Sequence, residues 1–153
     1  MSKRWIVISG TNWDSPSVSS TRQYAECFYR DGWSLLWINP VPFKPAAVGV
    51  HSRAAVRRRI LRRLMTQLRF VRRLRPRFFL LAPFFVPRYD EASRRLNRFL
   101  IRAQVVTALW LLRVRVKDTI LWTSSLTAQA FQYLPFRTRV YEAADLISDF
   151  RTD

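Results

Sequence analysis

Several residue types on which common enzyme classes depend are scarce in this 153-residue chain. Cys27 is its one cysteine, which excludes an internal disulfide framework and any zinc site built from several cysteines. His51 is its one histidine, so the histidine clusters of many metal and catalytic sites are excluded as well. The three glycines, Gly10, Gly32 and Gly49, leave no room for the glycine-rich loops that bind dinucleotides or nucleoside triphosphates. We therefore expect no metal ion and no cofactor.

Long hydrophobic runs are scarce too. The longest uncharged apolar stretch, residues 103–112, has about half of the roughly 20 residues that a bilayer-spanning helix requires. The apolar run near the first residue, 5–8, is far shorter than the core of a signal peptide. We expect a cytoplasmic protein that associates with a membrane, if at all, as a peripheral protein at the inner face.

Acidic residues are also scarce. The chain has 10 acidic and 27 basic residues, so its net charge is +17. Lysine occurs at three positions, Lys3, Lys44 and Lys117, so arginine supplies nearly all of the positive charge. Such a charge attracts polyanions, among them nucleic acid, anionic lipid headgroups and sugar phosphates. A coding bias towards arginine would produce part of the same excess without any function.

Hydrophobic residues make up 49% of the chain, and many of them fall into five short runs separated by helical patterns. The runs predict strands near residues 4–9, 34–39, 78–82, 119–123 and 138–142. Spacing and end signals predict helices near residues 20–30, 52–75, 91–112 and 125–133. Because strands and helices alternate, we predict an α/β fold with a doubly wound, mostly parallel, Rossmann-like sheet, as a single domain over residues 1–153.

The first predicted helix has the clearest end signals. Ser20 and Gln23 have the spacing of a capping box, and Gly32 can adopt the left-handed conformation that ends a helix. Cys27 falls on the apolar face together with Phe28. We therefore expect Cys27 to be a small buried side chain without a chemical role.

The loop after the first strand is the first candidate for a binding site, because ligands of open parallel sheets bind beyond the carboxyl ends of the strands. Gly10 permits a tight turn there, and Thr11 and Asn12 offer hydrogen bonds. The ring of Trp13 suits stacking on a sugar. The alternative is a structural turn in which Trp13 packs against the protein itself.

The loop after the fifth strand is the second candidate, because it is acidic. Glu142 and Asp145 follow the strand directly, where either carboxylate could face the crevice. A carboxylate in that position can accept a proton or a hydrogen bond from a hydroxyl group. The alternative is an acidic cap on a following helix.

The predicted helix at 52–75 has apolar residues at helical spacing and ten arginines between them. We expect five of these arginines to face an anionic membrane surface, namely Arg57, Arg58, Arg62, Arg69 and Arg73. Two alternatives are that the arginines bind nucleic-acid phosphates, or that the helix packs on the sheet with its arginines in solvent. Nucleic acid is the weaker of the partners, since the sequence contains no recognition motif for it.

In their order and spacing, these features resemble the N-terminal half of a GT-B glycosyltransferase of the group 1, family 4-like kind. The resemblance covers almost the whole chain, and its motifs are the segments 5–14, 22–26, 32–40, 119–122 and 140–145. The first of them is a strand that runs into Gly-Thr-Asn-Trp-Asp, and the last reads Val-Tyr-Glu-Ala-Ala-Asp. The sequence departs from the family at Arg22-Gln23-Tyr24, where the family has Arg-Pro-Gln-His.

The resemblance implies the acceptor-binding half of an enzyme that transfers a sugar from a nucleotide-sugar to a lipid-linked or polysaccharide acceptor. It implies acceptor binding by the loop after Gly10 and catalytic roles for Glu142 and Asp145. The donor-binding domain of such enzymes has no counterpart in these 153 residues. We therefore expect the chain to be inactive alone, either as a truncated or split gene product or as a domain that requires a separate donor-binding chain. The rival hypotheses are an arginine-rich α/β protein that binds nucleic acid, and a gene remnant without activity.

Overall fold

The fold is a six-stranded mixed sheet, mostly parallel, with helices packed against it. The computed structural model describes residues 4–15, 19–40, 71–86, 90–124, 128–131 and 133–142. The strands are β1 (Trp5–Ser9), β2 (Ser34–Ile38), β3 (Val71–Arg75), β4 (Phe78–Leu81), β5 (Thr119–Thr123) and β6 (Thr138–Tyr141). The helices are α1 (Ser20–Arg30), α2 (Glu91–Leu111) and α3 (Ala128–Phe131), with a short 3-10 turn at Val116–Asp118. This arrangement confirms a small α/β fold.

All five predicted strands are present, each within a residue or so of its predicted bounds. Strands β1 and β2 are recognisable in the sequence because they are buried along their whole length, which requires continuous apolar runs rather than alternation. The predicted helix at 91–112 is also confirmed, since α2 begins after Asp90, whose side chain accepts a hydrogen bond from the backbone N–H of Ser93.

The order of the strands across the sheet is β3-β4-β2-β1-β5-β6. Five strands are parallel to one another, and β3 runs antiparallel to β4 at one edge. In the centre, Val7 of β1 lies opposite Leu36 of β2 and Leu121 of β5. The carboxyl ends of the parallel strands therefore meet along one side of the sheet, which we call the carboxyl edge; their opposite ends form the amino edge.

Helices cover both faces of the sheet in the described part of the chain. On one face, sheet residues such as Val7 and Leu36 form a core with Val105 and Leu109 of α2. On the other face, a second core contains Ala25 of α1, Trp13 and the alternate residues of the same strands: Ile6, Ile8, Leu35, Trp37, Phe78 and Leu80. Successive residues of each central strand thus enter different cores. Among the described residues, no helix is long and apolar enough to cross a bilayer.

Strand β3 corrects the prediction of a helix extending to residue 75. Residues Val71–Arg75 form a strand that pairs antiparallel with β4. The chain turns between the two strands at residues 76–77, where Arg77 has a φ of 66°. Val71 and Leu74, three residues apart, would share one face of a helix. In the strand they lie on opposite faces, Val71 against the core of α2 and Leu74 against that of α1, so the same two apolar residues fit either structure. The rest of the predicted helix, residues 52–70, lies outside the described residues.

Helix α1 confirms one end signal and corrects the other. Gly32 has a φ of +86° and follows the last turn, as predicted. The N-cap is Ser19 rather than Ser20, because the side chain of Ser19 accepts a hydrogen bond from the backbone N–H of Arg22. Cys27 is exposed rather than buried. The buried residues of α1 are Thr21 and Ala25, which lie four residues apart on a face of the helix that does not include Cys27.

Candidate site at the carboxyl edge

Glu142 is the centre of a polar cluster at the carboxyl edge. One carboxylate oxygen, Oε1, accepts a hydrogen bond of 2.6 Å from the hydroxyl of Ser20. The other, Oε2, lies 3.0 Å from the hydroxyl of Thr21 and accepts the indole N–H of Trp122 at 3.1 Å. The hydroxyl of Ser124 lies 3.0 Å from that of Thr21 and extends the cluster. Three elements therefore meet at one carboxylate: the start of α1, the end of β5 and the residue after β6.

The order of the strands brings these elements together. Strand β5 lies between β1 and β6, so the residues that follow the three strands are neighbours at the carboxyl edge. Backbone hydrogen bonds continue the pairing beyond the strands: the N–H of Ser124 donates to the carbonyl of Ser9 at 3.1 Å, and that of Glu142 to Thr123 at 2.8 Å. The backbone of the site is therefore continuous with the sheet.

Gly10 has a different role from the tight turn that the sequence suggested. A Cβ atom at this position would lie 2.9 Å from Cγ2 of Thr21 and 3.0 Å from the indole ring of Trp37. These distances are too short for an ordinary side chain, so the missing side chain allows α1 to approach the end of β1. Gly10 is buried and acts on the cluster by placing Thr21.

Thr11 and Asn12 are exposed at the carboxyl edge, as a binding role requires. The hydroxyl of Thr11 lies 2.9 Å from that of Ser19, and the backbone carbonyl of Thr11 accepts the indole N–H of Trp37 at 3.2 Å. The side-chain oxygen of Asn12 accepts the backbone N–H of Asp14 at 3.2 Å. Both side chains thus offer polar groups to solvent from a loop that is anchored to the core.

Trp13 does not lie at the site as a stacking surface, which corrects the first role suggested for it. Its side chain is 8% exposed, and its ring meets those of Trp37 and Phe78 at centroid distances of 5.0 and 4.7 Å. The guanidinium of Arg22 lies 4.6 Å from the centroid of the Trp13 ring. Trp13 is therefore a core residue, as in the alternative interpretation of the loop.

The surroundings of Glu142 lower the pKa of its carboxyl group. Partial burial acts to raise this pKa, but the hydrogen bonds from Ser20, Trp122 and Thr21 together act more strongly in the opposite direction. Glu142 is therefore ionised at neutral pH. A carboxylate with a lowered pKa is a weak base, so the geometry suits the acceptance of hydrogen bonds better than the removal of a proton.

We predict that the stabilising effect of Glu142 is lost in acid. Because folding lowers its pKa, the carboxylate stabilises the fold fully above its ordinary pKa of 4.5, and this contribution falls as the pH drops through the lowered value. Glu142→Gln should be less stable than the original chain at pH 7, and the difference should shrink between about pH 5 and pH 3. Urea unfolding over that range measures it. A difference that stays constant with pH would contradict the assigned hydrogen bonds.

The other predicted site residues are only partly covered by the structure. Asp145 and four of the predicted membrane-facing arginines lie outside the described residues: Arg57, Arg58, Arg62 and Arg69. Arg73 lies exposed on the edge strand β3 rather than on a helix. No three His, Cys, Asp or Glu side chains within the described ranges are placed to hold a metal ion.

Sequence reasoning missed Ser20, Thr21 and Trp122 as site residues. The sequence pattern predicts a helix cap at Ser20 and a strand that includes Trp122. The signal that could have found them is positional, because Ser20 and Thr21 begin the helix after β1 and Trp122 lies near the end of β5. Each is a hydrogen-bond donor at the carboxyl edge, where a ligand of a parallel sheet is expected.

A cleft lies at the amino edge of the sheet. This cleft has a volume of about 680 Å³, and its lining includes Arg4, Trp33, Arg115, Asp118 and Arg137. Arg115 pairs with Asp118 at 2.7 Å. Within the described parts of the chain, no carboxylate forms an ion pair with Arg4 or Arg137. The cleft is therefore electropositive and lies at the opposite edge from Glu142.

No family model matches this sequence, and neither the curated proteins nor the solved structures contain a match. The resemblance to glycosyltransferases accordingly rests on the quoted motifs alone. Arguments about function therefore depend on the chemistry and geometry of the two edges of the sheet.

Proposed function

We propose that the chain is the acceptor-binding half of a GT-B-type glycosyltransferase, built on a doubly wound Rossmann-like sheet. The observation that carries the proposal is the position of Glu142. From β1 the sheet grows through β2 and β4 to one side, and through β5 and β6 to the other. Open α/β sheets bind ligands where the order of strands reverses, beyond the carboxyl ends. That reversal lies between β1 and β5, next to the cluster around Glu142.

The chemistry of the cluster suits a polyhydroxylated acceptor. Glu142 accepts hydrogen bonds, and exposed hydroxyl and amide groups lie in the segment after β1 (Thr11 and Asn12) and at the start of α1 (Ser20). A saccharide carries many hydroxyl groups that can donate to the carboxylate and accept from the hydroxyls. The three donors already bound to Glu142 hold its oxygens in place, which reduces the ordering that binding would require. In this proposal Glu142 binds and orients the acceptor.

The same geometry argues that the nucleotide-sugar binds elsewhere. Helix N-termini bind phosphate groups, and Ser20 and Thr21 are the first two residues of α1. The carboxylate of Glu142 already occupies hydrogen-bond donors in that first turn and would repel a diphosphate. A donor-binding unit separate from these 153 residues is therefore part of the proposal. Asp145, which follows Glu142 by three residues, is the sequence candidate for removing the proton of the acceptor hydroxyl.

Calorimetric titration of the chain with two panels of ligands tests the proposal. One panel contains soluble oligosaccharides and short-chain polyprenyl-phosphate-linked saccharides, and the other contains nucleotide-sugars. We expect binding of at least one saccharide, a loss of tenfold or more in Glu142→Ala, and no binding of nucleotide-sugars. Glu91→Ala, which removes an exposed carboxylate from α2, is the matched control and should bind normally.

Tight binding of a nucleotide-sugar by this chain would contradict the proposal, and so would saccharide binding that Glu142→Ala leaves unchanged. A single-stranded RNA oligomer in the same titration tests the second candidate function, nucleic-acid binding, which the cleft with Arg4 and Arg137 favours. In that case the logarithm of the RNA affinity should fall steeply as the logarithm of the salt concentration rises. Because each cation that contacts a phosphate of a single strand contributes about 0.7 to the steepness of this slope, Arg4→Gln/Arg137→Gln should make the slope shallower by about 1.4.

A further inference from the structure

The side of α2 that faces solvent is apolar. Leu96, Phe99, Val106 and Trp110 are 46%, 66%, 41% and 73% exposed, respectively. Their spacing of three, seven and four residues places them in one row along the helix, which we call the outer row. A helix that buries one face in a core ordinarily has polar and charged residues on the opposite face. The outer row departs from that pattern over about 21 Å of helix.

The outer row is separate from the face of α2 that packs on the sheet. Ile101, Val105 and Leu109 are buried in the core and lie on the opposite side of the helix. The four side chains of the outer row are all exposed, so the described part of the chain does not cover them. An exposed apolar surface of this kind on a folded protein marks a site where another protein, a membrane or an apolar ligand binds.

Arginines follow one flank of the outer row. Arg95, Arg98 and Arg102 are spaced at three and four residues. Glu91, the one acidic residue in the sequence of α2, pairs with Arg95 at 3.3 Å and with Arg98 at 3.4 Å, so two of the three arginines share one carboxylate. The guanidinium of Arg102 lies 4.5 Å from the ring centroid of Tyr133, which is itself 71% exposed. The flank is therefore both cationic and aromatic.

We propose that the outer row is a docking surface for an anionic lipid bilayer. Helix α2 would lie parallel to the bilayer, with Phe99 and Trp110 among the lipid chains and the arginines at the headgroups. This surface differs from the arginines at 57–69 that the sequence suggested, and the inference does not depend on glycosyl transfer. A second copy of the chain is a poorer occupant, because it would bring another net charge of +17 to a cationic flank.

Co-sedimentation of the full chain with vesicles tests the inference. We expect binding to vesicles that contain phosphatidylglycerol and much weaker binding to pure phosphatidylcholine. Phe99→Ser/Trp110→Ser should lower the affinity for the anionic vesicles at least tenfold, and since both side chains are exposed, the variant should keep its circular dichroism spectrum. Tyr141→Ser, a matched change at an exposed aromatic residue of β6, should bind as the original chain does.

A second pair of variants isolates the contribution of charge. Arg95→Gln/Arg98→Gln should weaken binding to the anionic vesicles about tenfold or more. Arg4→Gln/Arg137→Gln removes the same charge at the amino edge and should weaken it far less. Binding that persists in Phe99→Ser/Trp110→Ser, or equal affinity for the two kinds of vesicle, would overturn the inference. A dimer in sedimentation equilibrium that this variant converts to a monomer would also overturn it, because the outer row would then be an interface between copies.

Discussion

Replacing Trp13 with alanine should lower the free energy of unfolding by about 3–5 kcal/mol, the usual effect of truncating a large core aromatic side chain. The indole is nearly inaccessible to solvent and contacts the rings of Trp37 and Phe78, so its removal leaves a cavity in the core of the α1 face. The same change also removes the ring beneath the guanidinium of Arg22. Single domains have a total stability of about 5–15 kcal/mol, so a large part of it depends on this side chain.

Urea unfolding followed by circular dichroism measures the effect. Trp110→Ala is the matched control, because Trp110 is exposed on α2, and it should change stability by no more than about 0.5 kcal/mol. The contrary result is a Trp13→Ala variant that loses no more unfolding free energy than Trp110→Ala but no longer binds a saccharide. That result would show that Trp13 is a binding residue and that its assignment to the core is wrong.

Replacing Gly10 with valine should have the second largest effect. Gly10→Ala places a Cβ against Cγ2 of Thr21 and the Trp37 ring and should cost about 1–3 kcal/mol, the usual range for overpacking, and the two further methyl groups of valine should cost more. Trp37 cannot move easily, because it is wholly buried and its indole N–H donates to the carbonyl of Thr11.

A double mutant identifies the contact responsible. Thr21→Ser removes the methyl group nearest to the new Cβ but keeps the hydroxyl that bonds Glu142. Thr21→Ser should therefore recover part of the stability lost in Gly10→Ala, and the unfolding free energies of the two single variants should not add. Strict additivity would show that the close approach of α1 to β1 is not the cause.

Strands β1 and β2 were predictable because they are buried throughout, which requires a continuous apolar run that the sequence displays directly. Strand β3 was not, since five residues with apolar side chains at Val71 and Leu74 satisfy a helix and an edge strand equally well. What decides between them is the turn at residues 76–77 and the free edge of β4, and both belong to tertiary structure.

The sequence predicts Glu142 as a residue of the candidate site, but it does not predict the residues that surround Glu142. Glu142 follows a strand, so the general position of ligands in parallel sheets points to it. Its partners Ser20 and Thr21 lie more than 100 residues earlier, and they meet it in a fold whose strand order places β1, β5 and β6 side by side. Hydrophobic periodicity carries no information on strand order. Nor does it show whether a tryptophan in a loop, such as Trp13, points into the core or away from it.

The indole N–H signal of Trp122 in a ¹H–¹⁵N spectrum tests the central claim, that a saccharide acceptor binds at the Glu142 cluster, most directly. This N–H donates to the carboxylate of Glu142, so a sugar hydroxyl that binds the carboxylate must change its surroundings. We predict that adding a saccharide from the acceptor panel shifts the Trp122 signal saturably, whereas the signal of Trp110, exposed on α2, stays in place. A Trp122 signal that no saccharide in the panel moves would contradict the account.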